Sequence, residues 1–378
     1  PSKVTPSDGD YDYRERFEIE QWRLFSRNRI LKSWESEISY GETEDTRNDY
    51  NTWYVPTGGV TRTRTKNGQW TWQNNIDLPL GRALFVVERL KQTTGPRIDP
   101  TVWWDPVLYD HEPEFHNTSA LVGWTANHGD HRWQANVRHD KHSEFGGKST
   151  FGISYGYQLN EVLRAHAAYG TAFRAPTIVD LYRPGWGGNP DLKPEEAKNA
   201  EAGLTWEKGA HLASIIYYHN RVRNLIVWHP TPSPNGRNEN TAKALLEGVT
   251  FTYRGTFGAW QLNASYDWLN AQDKSSNALH KQLARRARNT ATVSLTHTWN
   301  KLETGLEAVA VGRRYDLPSN NDILGGYTLV NFTASYALTP ELRLESRLNN
   351  LFDKKYEMAR YYNTYGFNAF IGLRYSLR

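Results

Sequence analysis

The chain has 378 residues and no cysteine, and its formal net charge is +4 with an isoelectric point near 9.0. These values exclude disulfides and thiolate metal sites, and a mild charge spread along the chain argues against a nucleic-acid partner. Only 38% of the residues are hydrophobic while 13% are aromatic, so a soluble core would be short of apolar side chains. A transmembrane β-barrel has this profile, because its lumen is polar and its apolar surface is an outer band with aromatic girdles.

No stretch approaches the ~20 apolar residues that a transmembrane helix needs, and no signal peptide is visible. The chain begins with Pro1. We therefore expect a processed or truncated piece of a longer protein.

Strict two-residue alternation predicts strands in several segments. In 260–268 one parity is apolar or aromatic and the other is polar, and the same holds in 291–299, 328–336 and 369–378. Side chains with this period lie alternately on the two faces of a sheet. Helical patterns are nearly lacking, so the chain is predicted to be all-β.

About 17 strands are predicted at the ~10-residue spacing of transmembrane barrels. They lie near 15–26, 30–41, 61–77, 81–93, 113–127, 131–141, 149–159, 161–173, 197–207, 211–228, 241–255, 259–272, 284–299, 302–315, 325–338, 341–352 and 366–378. The connections alternate between short turns, the first at 26–29, and long segments, the first at 42–60. Short periplasmic turns and long extracellular loops explain this asymmetry. A soluble solenoid or propeller is the alternative, but no fixed-period repeat supports it.

Four motifs then occur in a characteristic order: FRAP at 173–176, NPDLKPE at 189–195, Gly248-Val249 opening a strand, and NNLFDKKY at 349–356. In combination they resemble the barrel of TonB-dependent outer-membrane receptors. Within that family the segment 138–146, and also 266–268 and 283–287, resemble the cobalamin (vitamin B12) transporters.

The resemblance implies a barrel of about 22 strands around an N-terminal plug, with a short segment before the plug that binds TonB. Residues 1–378 are then a single barrel domain from which the plug and the first strands are absent. It also implies the outer membrane of a Gram-negative cell, contact with outer-membrane lipid, a small-molecule cargo, a monomeric state and no nucleic-acid partner. No catalytic arrangement stands out, so an enzyme is not expected.

The outer loops are the predicted ligand mouth, because aromatic faces suit a flat macrocyclic cargo such as a corrinoid. The predicted ligand-binding residues are Trp103, Trp104, Tyr109, Arg174, Tyr182, Trp186, Tyr361 and Tyr362, with Tyr365 beside the last pair. For each ring the alternative is that it packs one loop against another or lies at the membrane interface.

Cargo and metal remain open at this stage. Haem receptors of the family carry a His between FRAP and NPDL, and 177–188 contains none, so haem is disfavoured. Cobalamin is the predicted cargo, with a ferric siderophore as the alternative and a passive pore as a third reading. Asp8, Asp10 and Asp12 alternate around Gly9 and form a predicted Ca²⁺ site, with a solvated acidic turn as the alternative. No other cofactor is expected.

Overall fold

The computed structural model describes residues 14–50, 60–95, 113–182, 188–229, 236–275 and 281–376. Its elements in chain order are β1 (Arg14–Leu31), β2 (Trp34–Tyr50), β3 (Val60–Leu78), β4 (Gly81–Thr94), β5 (Glu114–His128), β6 (His131–His142), β7 (Gly146–Gln158), β8 (Leu163–Arg174), α1 (Ile178–Tyr182), β9 (Glu195–Lys208), β10 (His211–His229), β11 (Arg237–Phe257), β12 (Trp260–Asp273), β13 (Asn289–Trp299), β14 (Leu302–Val311), β15 (Arg314–Tyr315), β16 (Ile323–Leu324), β17 (Tyr327–Ala337), β18 (Leu342–Asn349) and β19 (Asn368–Tyr375).

Seventeen of the strands form one antiparallel sheet in which neighbours in the chain are neighbours in space. Strand β14 pairs directly with β17, because β15 and β16 form a separate small hairpin within one long connection. Within the described ranges, no helix is long and apolar enough to cross a bilayer.

The predicted alternation is confirmed, and it is in phase across the sheet. Phe251 of β11 lies opposite Tyr266 of β12, which lies opposite Ala291 of β13. One residue further along, Asp267 lies between Thr250 and Thr290. Matching register therefore gathers the apolar side chains on one face, here called the apolar face, and the polar ones on the other, here called the polar face.

The apolar face is not covered by other protein. Leu24, Trp299 and Ile371 are each more than 70% exposed. Most of the buried apolar side chains among the described residues lie in two small clusters near the long-loop end. Water is a poor solvent for such a surface, whereas lipid is a good one. The fold is the predicted transmembrane antiparallel β-barrel, with short turns at one end of the sheet and long loops at the other.

The first two predicted connections are wrong in position. The segment 26–29 lies inside β1, and the turn is at 32–33. Arg23 and Arg27 both pair with Glu37 of β2 across this segment, so the strands stay together beyond the predicted turn.

Most of the predicted loop 42–60 is also strand, because β2 extends to Tyr50 and β3 begins at Val60. Lys66 Nζ lies 2.8 Å from Glu42 Oε1 across the β2–β3 pair. Such polar cross-strand pairs hold the sheet together beyond the apolar band, where no apolar alternation remains to indicate a strand.

Two other predicted strands are shorter than expected. The segment 284–288 is not strand, and Arg285 has a φ of 57°. The segment 350–352 leaves β18 at Asn350, whose φ is 51°. Left-handed backbone interrupts regular β pairing, and the ladders of β13 and β18 stop near these two residues. Gly248 does not open its strand but lies inside β11.

We expect Gly248→Val to destabilise the barrel by about 1–3 kcal/mol through overpacking. A Cβ at this position would collide with the Trp268 carbonyl oxygen and the Tyr218 hydroxyl. The measurement is the urea midpoint of unfolding in detergent, followed by tryptophan fluorescence. Gly123→Ala is the control, because its Cβ would have ordinary neighbours no nearer than 3.6 Å; equal shifts in both variants would contradict the steric account.

Candidate functional site

The connection from β8 to β9, described over 175–182 and 188–194, begins with the short helix α1. Thr177 caps α1: its Oγ1 accepts the Asp180 N–H at 3.0 Å, and Asp180 Oδ2 accepts the Thr177 N–H at 3.0 Å. This reciprocal pair is a capping box, for which Thr and an acidic residue three positions later are the sequence signature. The helix was not predicted, because five residues are too few to show an apolar period.

An ion pair joins the two ends of this loop. Arg174, the last residue of β8, donates from Nε and Nη2 to both carboxylate oxygens of Glu195, the first residue of β9, at 2.9 and 2.8 Å. Arg174 Nη1 also lies 3.4 Å from Asp180 Oδ2. Glu195 Oε1 in turn accepts the backbone N–H of Ile226 at 2.7 Å. The motif arginine thus connects β8, α1, β9 and β10.

Apolar side chains of the loop are buried against neighbouring strands. Ile178, Leu181 and Leu192 pack with Phe115 of β5 in one cluster, with Phe145 and Ile226 at its edge. Burial of each such side chain contributes roughly 1.5–3 kcal/mol relative to exposure. These described parts of the loop are therefore packed against the strands at the long-loop end of the sheet.

The NPDL half of the motif bonds the loop to the β10–β11 hairpin. Asn189, which is buried, donates from Nδ2 to the Asn238 carbonyl at 2.8 Å. Asn240 exchanges two hydrogen bonds with the backbone of Lys193, each 2.9 Å long. Each amide uses both its donor and its acceptor on backbone groups, because Asn189 Oδ1 also accepts the Asp191 N–H at 3.0 Å. Asn189 of the motif and Asn240 of β11 thereby join the loop to the strands.

A cavity of about 410 Å³ lies on the polar face between this loop and strands β4 to β8. Its wall includes Gln92, Asn117, Arg138, Asp140 and His142, and its roof is the backbone at 175–177. It lies at the long-loop end of the sheet, where the predicted ligand mouth is. We call it the loop cavity.

Arg138 is the centre of a charged network in the wall of the loop cavity. Its Nη1 donates to Glu88 Oε2 at 2.7 Å, its Nε donates to Asp140 Oδ2 at 3.0 Å, and its Nη2 donates to Ser119 Oγ at 2.8 Å. Two carboxylates face one guanidinium, so the formal charge of the network is negative. Asp140 and Ser119 are buried, and the hydrogen bonds that both accept from Arg138 compensate for the loss of water.

Asn117 leaves one polar atom of this wall unsatisfied. Its Nδ2 donates to Asp140 Oδ1 at 2.9 Å, whereas its Oδ1 is buried and has no hydrogen-bond partner among the described residues. Because an unpaired buried acceptor costs free energy, a ligand N–H that reached it would be favoured.

The predicted ligand-binding residues are not brought together in the part of the chain that the structure describes. Trp103, Trp104, Tyr109 and Trp186, like Asp8, Asp10 and Asp12, lie outside the described residues. Arg174 is engaged in the ion pairs above, and Tyr182 ends α1 with about a third of its surface exposed. Tyr361 and Tyr362 are 74% and 67% exposed in the connection before β19. No ring contact of the described residues joins either one to Tyr182.

The connection before β19 is held by its own motif residues. Asn350 Oδ1 accepts the Lys354 N–H at 2.9 Å, and Asn350 Nδ2 donates to the Lys354 carbonyl at 3.0 Å. Asp353 accepts the Phe367 N–H at 2.9 Å, and this bond, with help from Lys355, holds the pKa of Asp353 below its ordinary value. The motif therefore shapes the loop that presents Tyr361 and Tyr362.

Sequence reasoning missed Asn117, Arg138 and Asp140 as site residues. The segment 138–146 contributed to the resemblance, but without a role for its side chains. Alternate charged positions at 138 and 140 were a usable signal, because residues two apart share one face of a strand. Their convergence with Glu88 and Asn117 of other strands could not be seen in one strand alone.

We expect Glu195→Ala to release the loop locally. The variant removes the acceptor of the Ile226 amide and both carboxylate oxygens that Arg174 bonds in Glu195, leaving Arg174 only Asp180. A lost hydrogen bond to a charged group is worth about 1.5–3 kcal/mol. Hydrogen exchange at the Ile226 amide should rise by about tenfold or more. Glu201→Ala, at an exposed position of the same strand, is the control; unchanged exchange in Glu195→Ala would contradict the clamp.

Comparison with known proteins agrees with the β-barrel fold described above. The family profile described as TonB dependent receptor-like, beta-barrel, matches residues 2–351. A vitamin B12 transporter, BtuB, of Photobacterium profundum is 30% identical over 340 residues, which is 87% of this chain and 52% of that protein. BtuB of Vibrio vulnificus is 34% identical over 250 residues, covering 64% of this chain and 40% of that protein. The chain spans about half the length of these relatives.

Solved structures show the same fold at lower identity. A mutant of the ferric enterobactin receptor PfeA of Pseudomonas aeruginosa superposes with a TM-score of 0.78 at 17% identity, covering 96% of this chain and 62% of that one. The siderophore receptor PirA of Acinetobacter baumannii gives 0.74 at 17% identity, covering 96% and 63%. With its alternating faces, its motif-bearing loops and a profile match over nearly all of its length, the chain belongs to the family of TonB-dependent receptor-like β-barrels.

Proposed function

We propose that this chain is the barrel of an outer-membrane receptor that captures cobalamin in its outer loops for import energised by TonB. The main support for cobalamin as the cargo is the 30% identity, over 340 residues, with a vitamin B12 transporter. The protein acts in this proposal as a transport receptor of a Gram-negative outer membrane, and it performs no chemistry on its cargo.

The chemistry of the loop cavity supports a neutral, amide-bearing cargo. Cobalamin carries primary carboxamides around its ring, and a carboxamide N–H is the complement of the unpaired Asn117 Oδ1. A cavity of about 410 Å³ holds one edge of such a ligand rather than all of it. Exposed rings such as Tyr361 and Tyr362 are then available to cover the rest.

A ferric siderophore is the competing cargo, because the structural neighbours include siderophore receptors. Catecholate siderophores hold Fe(III) as anions. The Arg138 network offers them two carboxylates against one guanidinium, which is unfavourable for an anion. The charge of the cavity therefore favours cobalamin over a catecholate complex.

Equilibrium titration of the full-length protein in detergent should show saturable binding of cyanocobalamin and none of ferric enterobactin at the same concentrations. The measurement is quenching of tryptophan fluorescence, checked by calorimetry. Saturable binding of the siderophore but not of cyanocobalamin would identify a ferric siderophore as the cargo. A large steady conductance in a planar bilayer without either ligand would favour a passive pore.

Asn117→Leu should weaken cyanocobalamin binding by about fivefold to tenfold, since one net hydrogen bond is worth about 1 kcal/mol or slightly more. Asn199→Leu is the matched control, because Asn199 is an exposed asparagine of β9 that does not line the loop cavity. Equal affinity in the wild type and Asn117→Leu would exclude this contact with cargo.

Calcium is part of the proposal through Asp8, Asp10 and Asp12. Chelation with EDTA should weaken cyanocobalamin binding, because carboxylates that lose the ion repel one another and release the segment they order. Replacing the three residues together by Asn should remove the calcium dependence. Calcium dependence that persists in this variant would place the ion elsewhere.

A further inference from the structure

A second cavity, also of about 410 Å³, opens on the apolar face of β2 to β5. Tyr40 and Trp70 form its floor, and Lys66, Arg89, Lys91 and His116 lie around its rim. Apart from His116, which lines both cavities, its strand residues have the opposite parity to those of the loop cavity, so the two cavities open on opposite faces of the sheet. We call it the outer-face cavity.

The floor of the outer-face cavity lies where the apolar band ends. Rings of Trp22, Tyr40 and Trp70 contact one another in sequence across β1 to β3, with centroid distances of 5.3 and 4.7 Å. Towards the short-turn end the same face continues with Ile38 and Trp72. Aromatic rings at such a boundary mark the depth of lipid headgroups. The cavity therefore opens at headgroup level.

Gly68 shapes the floor of the outer-face cavity. It lies between Glu42 of β2 and Lys91 of β4 in the ladder, and a Cβ on it would come within 2.9 Å of the Tyr40 hydroxyl. Gly68 therefore leaves room for the Tyr40 ring to lie over β3, and a larger side chain at this position would push that ring into the cavity.

The rim carries a cation without a counter-charge. Lys66 pairs with Glu42 at 2.8 Å, and Lys91 pairs with Glu114 at 2.6 Å. Arg89 is exposed and has neither a hydrogen bond nor an ion pair among the described residues. It lies directly beside Trp70 in the β3–β4 register. The net positive charge of the rim is thus concentrated at Arg89.

His116 adds an unsatisfied atom to the same wall. Its Nε2 lies 2.6 Å from Glu114 Oε1, while its Nδ1 is buried without a hydrogen-bond partner among the described residues. A ligand that brings oxygen atoms to this rim would meet Arg89 and Lys91, with the His116 ring beside them.

We propose that the outer-face cavity binds the phosphate of a phosphorylated lipid in the surrounding leaflet, with Arg89 as its main anchor. The guanidinium fork matches two phosphate oxygens, and Lys66 and Lys91 add positive charge nearby. The apolar band beside the floor receives the acyl chains. A free phosphate has no acyl chains to contact this band, so the proposed ligand is the lipid. The inference rests on the membrane location proposed above.

The test is native mass spectrometry of the full-length protein released from detergent, titrated with dioleoyl phosphatidic acid. Dioleoyl phosphatidylcholine and inorganic phosphate are the comparison probes. The variants are Arg89→Gln, the double variant with Lys91→Gln, and Gly68→Leu, which fills the cavity and keeps every charge. Lys198→Gln, on an exposed cation of the apolar face of β9 outside the cavity, is the matched control.

Phosphatidic acid should bind more tightly than phosphatidylcholine, and each lost cation should weaken its binding by about fivefold. Gly68→Leu should weaken it as well, and Lys198→Gln should not. Equal affinity in Arg89→Gln and wild type, an equal loss in Lys198→Gln, or full competition by inorganic phosphate would each overturn the proposal. Cyanocobalamin binding is measured on the same samples. It shows whether each variant is still folded, and it tests the proposed cargo independently of lipid binding.

Discussion

Every feature of this protein depends on the pairing of backbone N–H and C=O groups between sequential antiparallel strands. In a bilayer these groups have no water to bond, so each must find a partner in the protein. The ladders from β1 to β19 supply those partners and keep one register from strand to strand. That shared register is why the apolar side chains meet lipid on one face while charged networks such as Arg138 with Glu88 assemble on the other.

The family motifs act mainly as loop architecture. Arg174 and Glu195 close the connection that contains α1, and Asn189 and Asn240 fasten it to β10 and β11. Asn350 does the same for the connection before β19. Fixed loops can present exposed rings and a cavity wall in a constant arrangement, which lowers the entropic cost of binding a rigid cargo. Motif residues therefore indicate the family and its loop geometry more directly than they indicate the cargo.

The two cavities illustrate how one sheet serves two environments. Asn117 and Arg138 face the loop cavity, while Lys91 and Arg89 of the adjoining strand β4 face the opposite side. Strand periodicity places neighbouring residues on opposite faces, so two adjacent residues of β5 serve different cavities. Asn117 lines the loop cavity, and His116 lines both the loop cavity and the outer-face cavity. The proposed cargo site and the proposed lipid site therefore lie on opposite faces of one sheet.

The sequence alone determined the number of strands, their alternating faces, the asymmetry of short turns and long loops, and the family, because all of these are written in local periodicity and short motifs. It misplaced the boundaries near 26–29 and 42–60, where cross-strand ion pairs and not apolar alternation hold the strands. Tertiary structure alone decided that Arg174 is a clamp, that Asn117 keeps an unpaired acceptor beside Arg138, and that the Tyr40 ring lies over Gly68 in the cavity beside Arg89. Each of these depends on residues from different strands, and only the register of the folded sheet brings those residues together.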